Sequence, residues 1–354
     1  MNTRSKSAAR LSRRRFLHLA GGALGAMAVG CTPKTPAAEE TALPDYVDGG
    51  IGIPVFRGPY LQREAHIAAF LLPARIEALR SLCDTYFDTP SGGAVKVSPL
   101  GPYVLLLYAE MQIQSLDERD EAIGWMHETE VSFWIPVTSG AGHAAWFLPY
   151  LFVDNPYAIA SGREVYGFPK TWGQFGKPAS IQDPEFTVDA WGFTEFDSQA
   201  EGTVQRLLET HKSDTAQDTP PDTWTSWDAA RSAIIRQVFK DWQPQAGNGG
   251  GTQWFEMLEK MPVLFLKQFR DAVDSRRACY QAIVEAPVQL TTFHSGGSID
   301  SAYILTCQSL ASHPLPEILG LDVDSSGAMQ ALATFWLHVD FTLGSGVEVW
   351  RAGK

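Results

Sequence analysis

The sequence contains few of the residues from which metal centres and disulfide frameworks are usually built. Only four cysteines occur in 354 residues, and no two of them form a CxxC pair or another short spacing. The eight histidines include no HExxH motif and no close pair. We therefore expect neither a zinc site, nor another metal site, nor a disulfide framework.

Motifs and repeats that mark several common protein classes are also missing. No segment recurs with a period of about 20–50 residues, which disfavours a solenoid or a propeller. Ser295 lies outside a Gly-x-Ser-x-Gly elbow, so a hydrolase nucleophile is not expected. The glycine cluster at 247–251 has no Lys-Ser/Thr after it and no strand before it. It therefore predicts a flexible loop and not a phosphate cradle.

Basic residues are scarce after the first thirty positions. The formal net charge is −12, but residues 1–30 hold six basic groups and no acidic group, so the remaining chain carries −18. These six groups are Arg4, Lys6, Arg10, Arg13, Arg14 and Arg15. Because binding to phosphates needs a basic surface, nucleic acid is not an expected partner.

Residues 1–31 have the pattern of an export signal. Arg13 and Arg14 lie in a twin-arginine pattern, and the apolar run 16–30 is too short to span a membrane. Cys31 ends a segment that resembles a lipoprotein cleavage box, so either lipidation of Cys31 or plain cleavage nearby is expected. The sequence predicts export by the twin-arginine route to the periplasm or cell envelope, with membrane contact only through a lipid on Cys31. Residues 32–50 predict a flexible tether.

The hydrophobic pattern of residues 51–354 predicts one β-dominated α+β domain. Runs rich in β-branched and aromatic residues, bounded by turn residues, predict strands at 65–72, 103–113, 131–137, 146–153, 186–196, 280–293, 302–310 and 333–350. Apolar residues at helical spacing predict helices at 74–87, 228–242 and 264–272. A polar, proline-containing segment at 211–223 predicts a surface loop.

One lysine, Lys170, stands between a glycine-rich turn and an apolar segment. Pro169 fixes its own φ and biases Phe168 towards an extended conformation, so the backbone aims the Lys170 side chain. Burial beside Tyr166 and Phe168 would disfavour the charged form and lower the pKa of the lysine, which would create a nucleophile able to form a Schiff base. The alternative is a surface lysine whose stem covers aromatic rings.

Lys170 belongs to a set of motifs spread along the chain, namely Gly162-Arg163-Glu164 with Pro169-Lys170, the preceding 154–159, 56–60 with Arg63-Glu64, Glu130 with 135–137, 313–319 and 335–350. Together these motifs resemble the acetoacetate decarboxylase family over roughly residues 54–350. Residues 209–253 have no counterpart in the family pattern, so the resemblance implies an insertion there, with one amphipathic helix. The resemblance implies a closed, cone-shaped antiparallel β-barrel with peripheral helices and with the lysine inside. It also implies no metal or organic cofactor and a homo-oligomer.

The same resemblance implies a role for each matching residue. Lys170 takes the Schiff-base position and attacks the carbonyl of a small oxo acid, which is the expected partner. Arg63 holds the substrate carboxylate through a bidentate contact. Glu130 orients Arg63 or moves protons, and its alternative is a structural salt bridge. The expected substrate-binding residues are Arg63, Tyr166 and Phe168, and Arg163 and Glu164 are expected to brace the turn.

One departure from the family pattern leaves the reaction open. Decarboxylases of this family have a second lysine after the Schiff-base lysine, whereas Thr171 follows Lys170 here. A nearby cation that would help lower the first pKa is therefore missing. Decarboxylation, aldol and dehydration chemistry all remain open. Two further alternatives are a non-catalytic exported lipoprotein that binds a small acid or apolar ligand in the barrel, and an envelope scaffold.

Overall fold

A computed structural model describes residues 43–47, 55–139, 143–213, 222–239, 262–299 and 302–353. The chain divides into two units, Met1–Gly49 and Gly50–Lys354, and the second unit carries the fold. Residues 43–47 are exposed and have no regular structure. The expected signal at 1–31 with Cys31, most of the 32–50 tether, most of the 211–223 loop and the glycine cluster lie outside the described residues. None of the described helices has the length and apolar character that crossing a membrane requires.

Strands make up most of the regular structure of the second unit. In chain order they are β1 Tyr60–Pro73, β2 Val97–Pro99, β3 Tyr103–Ser115, β4 Trp125–Ser139, β5 Ala144–Val153, β6 Lys170–Gly176, β7 Thr187–Gly192, β8 Thr203–Lys212, β9 Thr223–Trp224, β10 Val263–Arg270, β11 Ala278–Ala286, β12 Val288–Ser298, β13 Tyr303–Cys307, β14 Ala328–Gln330, β15 Ala333–Leu343 and β16 Val347–Arg351. The prediction of a β-dominated fold is confirmed.

The described helices are short. They are α1 Ile76–Cys83, α2 Thr89–Ser91, α3 Pro156–Ser161, α4 Trp227–Phe239 and α5 Leu315–Leu319, with a 3₁₀ turn at Glu121–Ile123. A π-helical turn, Asp84–Asp88, joins α1 to α2, and a second one, Gly162–Tyr166, extends α3. The predicted helix at 74–87 corresponds to α1 with its π-helical turn, and the described part of the predicted helix at 228–242 corresponds to α4.

The strands form one large sheet with an open order of pairing. The main path runs β14-β13-β8-β7-β6-β5-β4-β3-β1-β15-β12-β9, and β2, β10, β11 and β16 pair off this path. Most pairs are antiparallel, whereas β5 pairs in parallel with β6 and with β10. Because this order does not close, the expected closed barrel is not confirmed.

Three predicted segments differ from the structure, and one of them, the strand predicted at 333–350, is observed as β15 and β16 with residues 344–346 between them. The predicted helix at 264–272 is wrong, because β10 pairs with β11 along its whole length and with β5 at one end. A short apolar run fits either a strand or a buried helix, and tertiary pairing decides between them. The single strand predicted at 280–293 is divided at Pro287, which has no N–H to donate to a sheet ladder.

Side chains of the long strands alternate between two hydrophobic cores. On β3, Val104, Leu106 and Tyr108 belong to the core that includes α1. Ala109 and Met111, at the other parity, belong to the core that includes residues of α3 and α4. This period of two follows from the pleat of a strand. The second core surrounds the candidate site.

Candidate active site

The segment before Lys170 is helical, although the sequence predicted only a turn. The Asn155 side chain accepts hydrogen bonds from the N–H groups of Tyr157 at 2.9 Å and Ala158 at 3.4 Å. Pro156 follows at the first helical position, where its missing N–H costs no hydrogen bond. The pair Asn155-Pro156 is therefore a start signal for α3.

Gly167 ends this helical segment and turns the chain towards Lys170. Its φ is +88°, a conformation that side chains with a Cβ rarely adopt. A Cβ on Gly167 would also lie 2.5 Å from the Cα of Lys267. After Pro169 the chain is extended, and Lys170 begins β6 opposite Leu151 of β5. Two independent constraints thus fix the backbone that positions the lysine.

The Lys170 side chain is buried and forms an ion pair that the sequence analysis did not predict. Its relative exposure is 8%, and its Nζ donates to Oε1 of Glu128 at 2.7 Å. The Nζ also lies 5.5 Å from the centre of the Phe168 ring. The amine therefore has a dedicated partner inside the protein.

Gly162 provides the space through which the lysine stem passes. A Cβ at this position would lie 2.8 Å from Cδ of Lys170 and 3.1 Å from its Cε. The neighbouring Arg163 donates from Nη1 to the Lys170 carbonyl at 3.1 Å. Arg163 is exposed and Glu164 is half-buried, and both lie in the π-helical turn. The expected bracing role of Arg163 thus has a structural counterpart.

Glu130 is the second carboxyl group beside Lys170. It lies two residues after Glu128 on β4, so both side chains project from the same face of the strand. Burial and the charge of Glu128 raise the pKa of Glu130 to about 8, although the Lys170 charge opposes the shift. Glu130 is therefore mostly protonated at neutral pH.

The two carboxyl groups complement each other when they share one proton. The Oε2 atom of Glu128 is buried, and no described residue donates a hydrogen bond to it. The side chains of Glu130 and Glu128 are hydrogen-bonded, and this contact contributes to the raised pKa of Glu130. Lys170, Glu128 and Glu130 thus form one hydrogen-bonded group, in which Glu128 contacts both other side chains.

These three side chains face a cavity of about 80 Å³. Tyr166 and Phe168, the expected substrate-binding residues, also line it. The Tyr166 hydroxyl is buried, and no described residue forms a hydrogen bond with it. Burial raises the pKa of Tyr166 well above its ordinary value, so the hydroxyl stays protonated and can donate to a ligand.

Arg63 does not line the cavity, and its expected role as carboxylate clamp has no geometric support. Gln62, its neighbour on β1, lines the cavity and is buried. Because successive residues of a strand face opposite sides, Arg63 is directed away from Lys170. Its guanidinium lies 3.9 Å from the centre of the Trp125 ring, and a bulge follows on β1.

A second cavity, of about 130 Å³, adjoins the first. It shares five lining residues with the Lys170 cavity, namely Met111, Glu130, Trp134, Val288 and Phe341. Its other walls are aliphatic or aromatic and include Trp227 and Ile234 of α4. Neither cavity has an arginine among its described lining residues, and Lys170 is the one lysine there.

Residues that could hold a metal ion lie outside both cavities, although the sequence predicts no metal site. Two groups, each with ligand atoms within 4.8 Å of one another, share Glu64. One adds His66 and His338, and the other adds His294 and Asp340. These residues come from β1, β12 and β15, so their spacing along the chain could not reveal the cluster.

Glu128 is the site residue that sequence reasoning missed. A usable signal was present, because Glu128 and Glu130 alternate along a predicted strand and must share one face. The sequence could not show that the same face meets Lys170.

The chain matches the sequence model of the family described as acetoacetate decarboxylase (ADC) over residues 46–191. None of the curated protein sequences compared with the chain matches it. The family match includes Lys170, Glu128 and Glu130. The predicted resemblance to the family is confirmed over these residues.

Solved structures share the fold at low sequence identity. Acetoacetate decarboxylase from Legionella pneumophila is 14% identical with a TM-score of 0.56, and the match covers 89% of this chain and 94% of that one. An acetoacetate decarboxylase-like enzyme from Sphingomonas wittichii RW1 is 12% identical with a TM-score of 0.51, covering 86% and 98%. The enduracididine biosynthesis enzyme MppR complexed with pyruvate is 13% identical with a TM-score of 0.50, covering 84% and 92%. At these identities the likeness shows the fold alone.

Proposed function

We propose that the protein is a Schiff-base-forming carbon–carbon lyase that acts on an oxo acid through Lys170. The observation that carries the proposal is a buried lysine amine that faces a cavity beside two carboxyl groups. A nucleophilic lysine needs a base that takes its proton and an acid that protonates the leaving oxygen. Glu128 is suited to the first task, and Glu130, whose pKa is raised to about 8, is suited to the second.

The proposed reaction begins when the Lys170 ammonium passes one proton to Glu128. The neutral nitrogen then adds to the carbonyl carbon of the substrate. The carbonyl oxygen leaves as water with two hydrogens, one from the nitrogen and one from a carboxylic acid of the pair, and the last hydrogen stays on the iminium nitrogen. The iminium accepts the electron pair of the bond between its α-carbon and the next carbon as that bond breaks, which gives an enamine. The remaining carboxylic acid of the pair then protonates the α-carbon, and water hydrolyses the iminium to release the product and return the Lys170 amine. Decarboxylation and retro-aldol cleavage both fit this sequence.

Borohydride trapping tests the proposal directly. Reduction of the iminium in the presence of pyruvate or acetoacetate is expected to add the mass of the reduced substrate to Lys170. Glu128→Gln should slow trapping by about 10²–10⁴-fold, because it removes the proposed proton acceptor. The matched control is Glu110→Gln, a carboxyl on β3 that pairs with Lys177. The absence of a Lys170 adduct with a panel of oxo acids would contradict the proposal.

The Lys170–Glu128 pair itself favours a second candidate function. A buried ion pair can hold the amine as ammonium, and Thr171 stands where family decarboxylases have a second lysine. The candidate is a non-catalytic protein that binds a small acid or apolar ligand at this site. Lys170→Ala separates the two functions, because an enzyme loses turnover whereas a binding protein keeps most of its ligand affinity.

We further propose that the protein is exported by the twin-arginine route, lipid-anchored at Cys31, and homo-oligomeric. The support for export and anchoring is the sequence pattern of residues 1–31. A Cys31→Ser variant should move from the membrane fraction to the soluble periplasmic fraction.

Light scattering of the purified mature chain tests the oligomeric state, and a monomer would contradict that part of the proposal.

A further inference from the structure

The second cavity, called the apolar part below, continues the first cavity, called the Lys170 part, along one face of the sheet. On β3 the first cavity is lined by Ile113 and Met111, and the second by Met111 and then Leu107. On β15 the lining passes in the same way from Leu343 through Phe341 to residues nearer the start of the strand. Alternate residues of the same strands thus line both spaces, which makes them parts of one elongated site.

The chemistry changes sharply from one part to the other. The Lys170 part contains the ion pair with Glu128, whereas Glu130 is the one charged residue among the described residues that line the apolar part. Because Glu130 is mostly protonated at neutral pH, the boundary between the two parts carries little charge. Water in an apolar space finds few hydrogen-bond partners, so an apolar ligand displaces it readily.

Helix α4 covers the apolar part. Ile234 is buried against it, and the Trp227 ring lies 6.2 Å from the Phe293 ring of β12. This helix belongs to residues 209–253, which the sequence marks as an insertion relative to the family. Side chains of the insertion therefore line the end of the site that is farther from Lys170.

On the basis of the proposed Schiff-base function, we propose that the substrate is an oxo acid with an apolar tail. Its carbonyl carbon meets Lys170, and its tail passes Glu130 into the apolar part beneath α4. Binding of the tail removes apolar surface from water at both the ligand and the cavity wall. A substrate of three or four carbons leaves that part of the site unfilled.

A chain-length comparison tests this substrate class. Borohydride trapping at Lys170 is measured with pyruvate and with 2-oxooctanoate, which differ only in the length of the alkyl chain. The concentration for half-maximal trapping is expected to be about ten-fold or more lower for 2-oxooctanoate. Equal values for the two acids would overturn the apolar-tail inference and leave the Schiff-base function intact. A lack of trapping with either acid would overturn the function itself.

A blocking variant locates the tail. Leu107→Trp places a larger ring in the apolar part without touching the first cavity, and it should remove the preference for 2-oxooctanoate while pyruvate is trapped as before. Gln112→Trp, on the same strand but outside both cavities, is the matched control and should keep the preference. Should Leu107→Trp fold poorly, competition by 1-octanol against 2-oxooctanoate but not against pyruvate provides the same test. Retention of the preference in a folded Leu107→Trp variant would overturn the inference.

A different observation supports a second inference, which does not depend on the proposed function. The His338 ring of β15 is stacked between two other imidazoles, with centroid distances of 4.2 Å to His66 and 4.4 Å to His294. Its Nε2 lies 2.9 Å from Oε2 of Glu64, and His294 Nε2 lies 3.1 Å from Asp340. Three imidazoles and two carboxylates thus meet on three adjacent strands.

The backbone directs Glu64 into this cluster. Glu64 has a φ of +49°, which is uncommon for a residue with a Cβ, and it lies at the bulge of β1. Its N–H donates to Oδ1 of Asp340 at 2.8 Å, which holds the bulge in place. Bulges often redirect a side chain at a functional site.

We infer that Glu64, His66 and His338 bind one divalent transition-metal ion such as Zn²⁺. Two imidazole nitrogens and a carboxylate oxygen suit this class of ion, whereas Mg²⁺ and Ca²⁺ prefer oxygen ligands alone. Their ligand atoms lie within 4.8 Å of one another, and each side chain is exposed or half-buried, so an ion can reach them.

Calorimetric titration of the purified chain with Zn²⁺ alone tests the site. One equivalent is expected to bind, and His338→Ala should weaken binding by about ten-fold or more. His211→Ala, an exposed histidine on β8, is the matched control and should bind like the parent chain. Circular dichroism without metal checks that both variants are folded. No bound zinc, or equal affinity in the parent chain and His338→Ala, would overturn this inference.

Discussion

The two parts of the elongated site are built from the same strands but differ in chemistry. Near Lys170, strand β4 contributes Glu128 and Glu130, whereas Trp134 and Pro136 line the apolar part farther along the same strand. Lys170 and the two carboxyl groups compensate one another's charge at one end. At the other end, α4 contributes apolar side chains to the wall.

This difference shows how one face of a sheet can hold a reactive group at a single place. Burying a charge is unfavourable unless a partner and hydrogen bonds compensate it. Lys170 meets this condition through Glu128, and Glu128 through Lys170 and its hydrogen bond with Glu130. No such partner is needed by the aliphatic and aromatic side chains that form most of the described wall of the apolar part. The reactive chemistry is therefore confined to the end where β4 and β6 bring opposite charges together.

The largest expected effect comes from removing one member of the ion pair. Lys170→Met leaves Glu128 buried without its partner, which should lower the free energy of unfolding by about 3–5 kcal/mol. The double variant Lys170→Met/Glu128→Leu should recover most of this loss, because neither charge remains. Urea unfolding of both variants measures the effect. If the single variant were as stable as the parent chain, the buried Glu128 would not need Lys170 as a partner, and this contrast between the two ends of the site would be wrong.

A smaller effect is expected where Gly162 makes room for the lysine. In Gly162→Ala the new methyl group would lie 2.8 Å from Cδ of Lys170. Crowding of this kind should cost about 1–3 kcal/mol and slow borohydride trapping. Gly92→Ala is the control, because its Cβ meets nothing within 4 Å although its φ is +61°. That variant should lose stability through backbone strain and keep the parental trapping rate.

The protonation of Glu130 predicts a pH dependence of stability. Its pKa is raised from 4.5 to about 8, so between these values the folded state holds a proton that the unfolded chain has released. The stabilising contribution is complete below pH 4.5 and is lost as the pH rises through 8. Stability should fall in this window by up to about 1.4 kcal/mol per pH unit.

Glu130→Gln should flatten this slope, because the amide does not titrate. Denaturant unfolding at several pH values compares the variant with the parent chain. An identical slope in both proteins would show that Glu130 is ionised throughout the window.

The smallest effect is expected at Arg63, which lies outside both parts of the site. Arg63→Ala removes a cation–π contact with a half-exposed tryptophan, so it should cost less than about 1 kcal/mol. Trapping of pyruvate at Lys170 should be unchanged. A large rise in the pyruvate concentration needed for trapping would restore the carboxylate-clamp role expected from the sequence.

Local patterns predicted much of the fold. The strands at 103–113 and 131–137 were recognisable because β-branched and aromatic residues lie between turn residues, and both lie within longer observed strands. The helix at 264–272 was mispredicted, because its short apolar run gains its hydrogen bonds from β11. Closure of the sheet depends on pairing between distant strands, which no local pattern specifies.

For the candidate site, the sequence determined the local conformation that aims Lys170. Asn155-Pro156 starts the helix, Gly162 leaves space for the lysine stem, and Gly167 with Pro169 turns the chain into β6. These features depend on neighbours within a few residues, where steric and capping preferences operate. Only the tertiary structure decided that Glu128, 42 residues away, meets the amine and that Arg63 does not. The pairing of strands and a single bulge set those contacts, and their energies depend on burial that exists only in the folded chain.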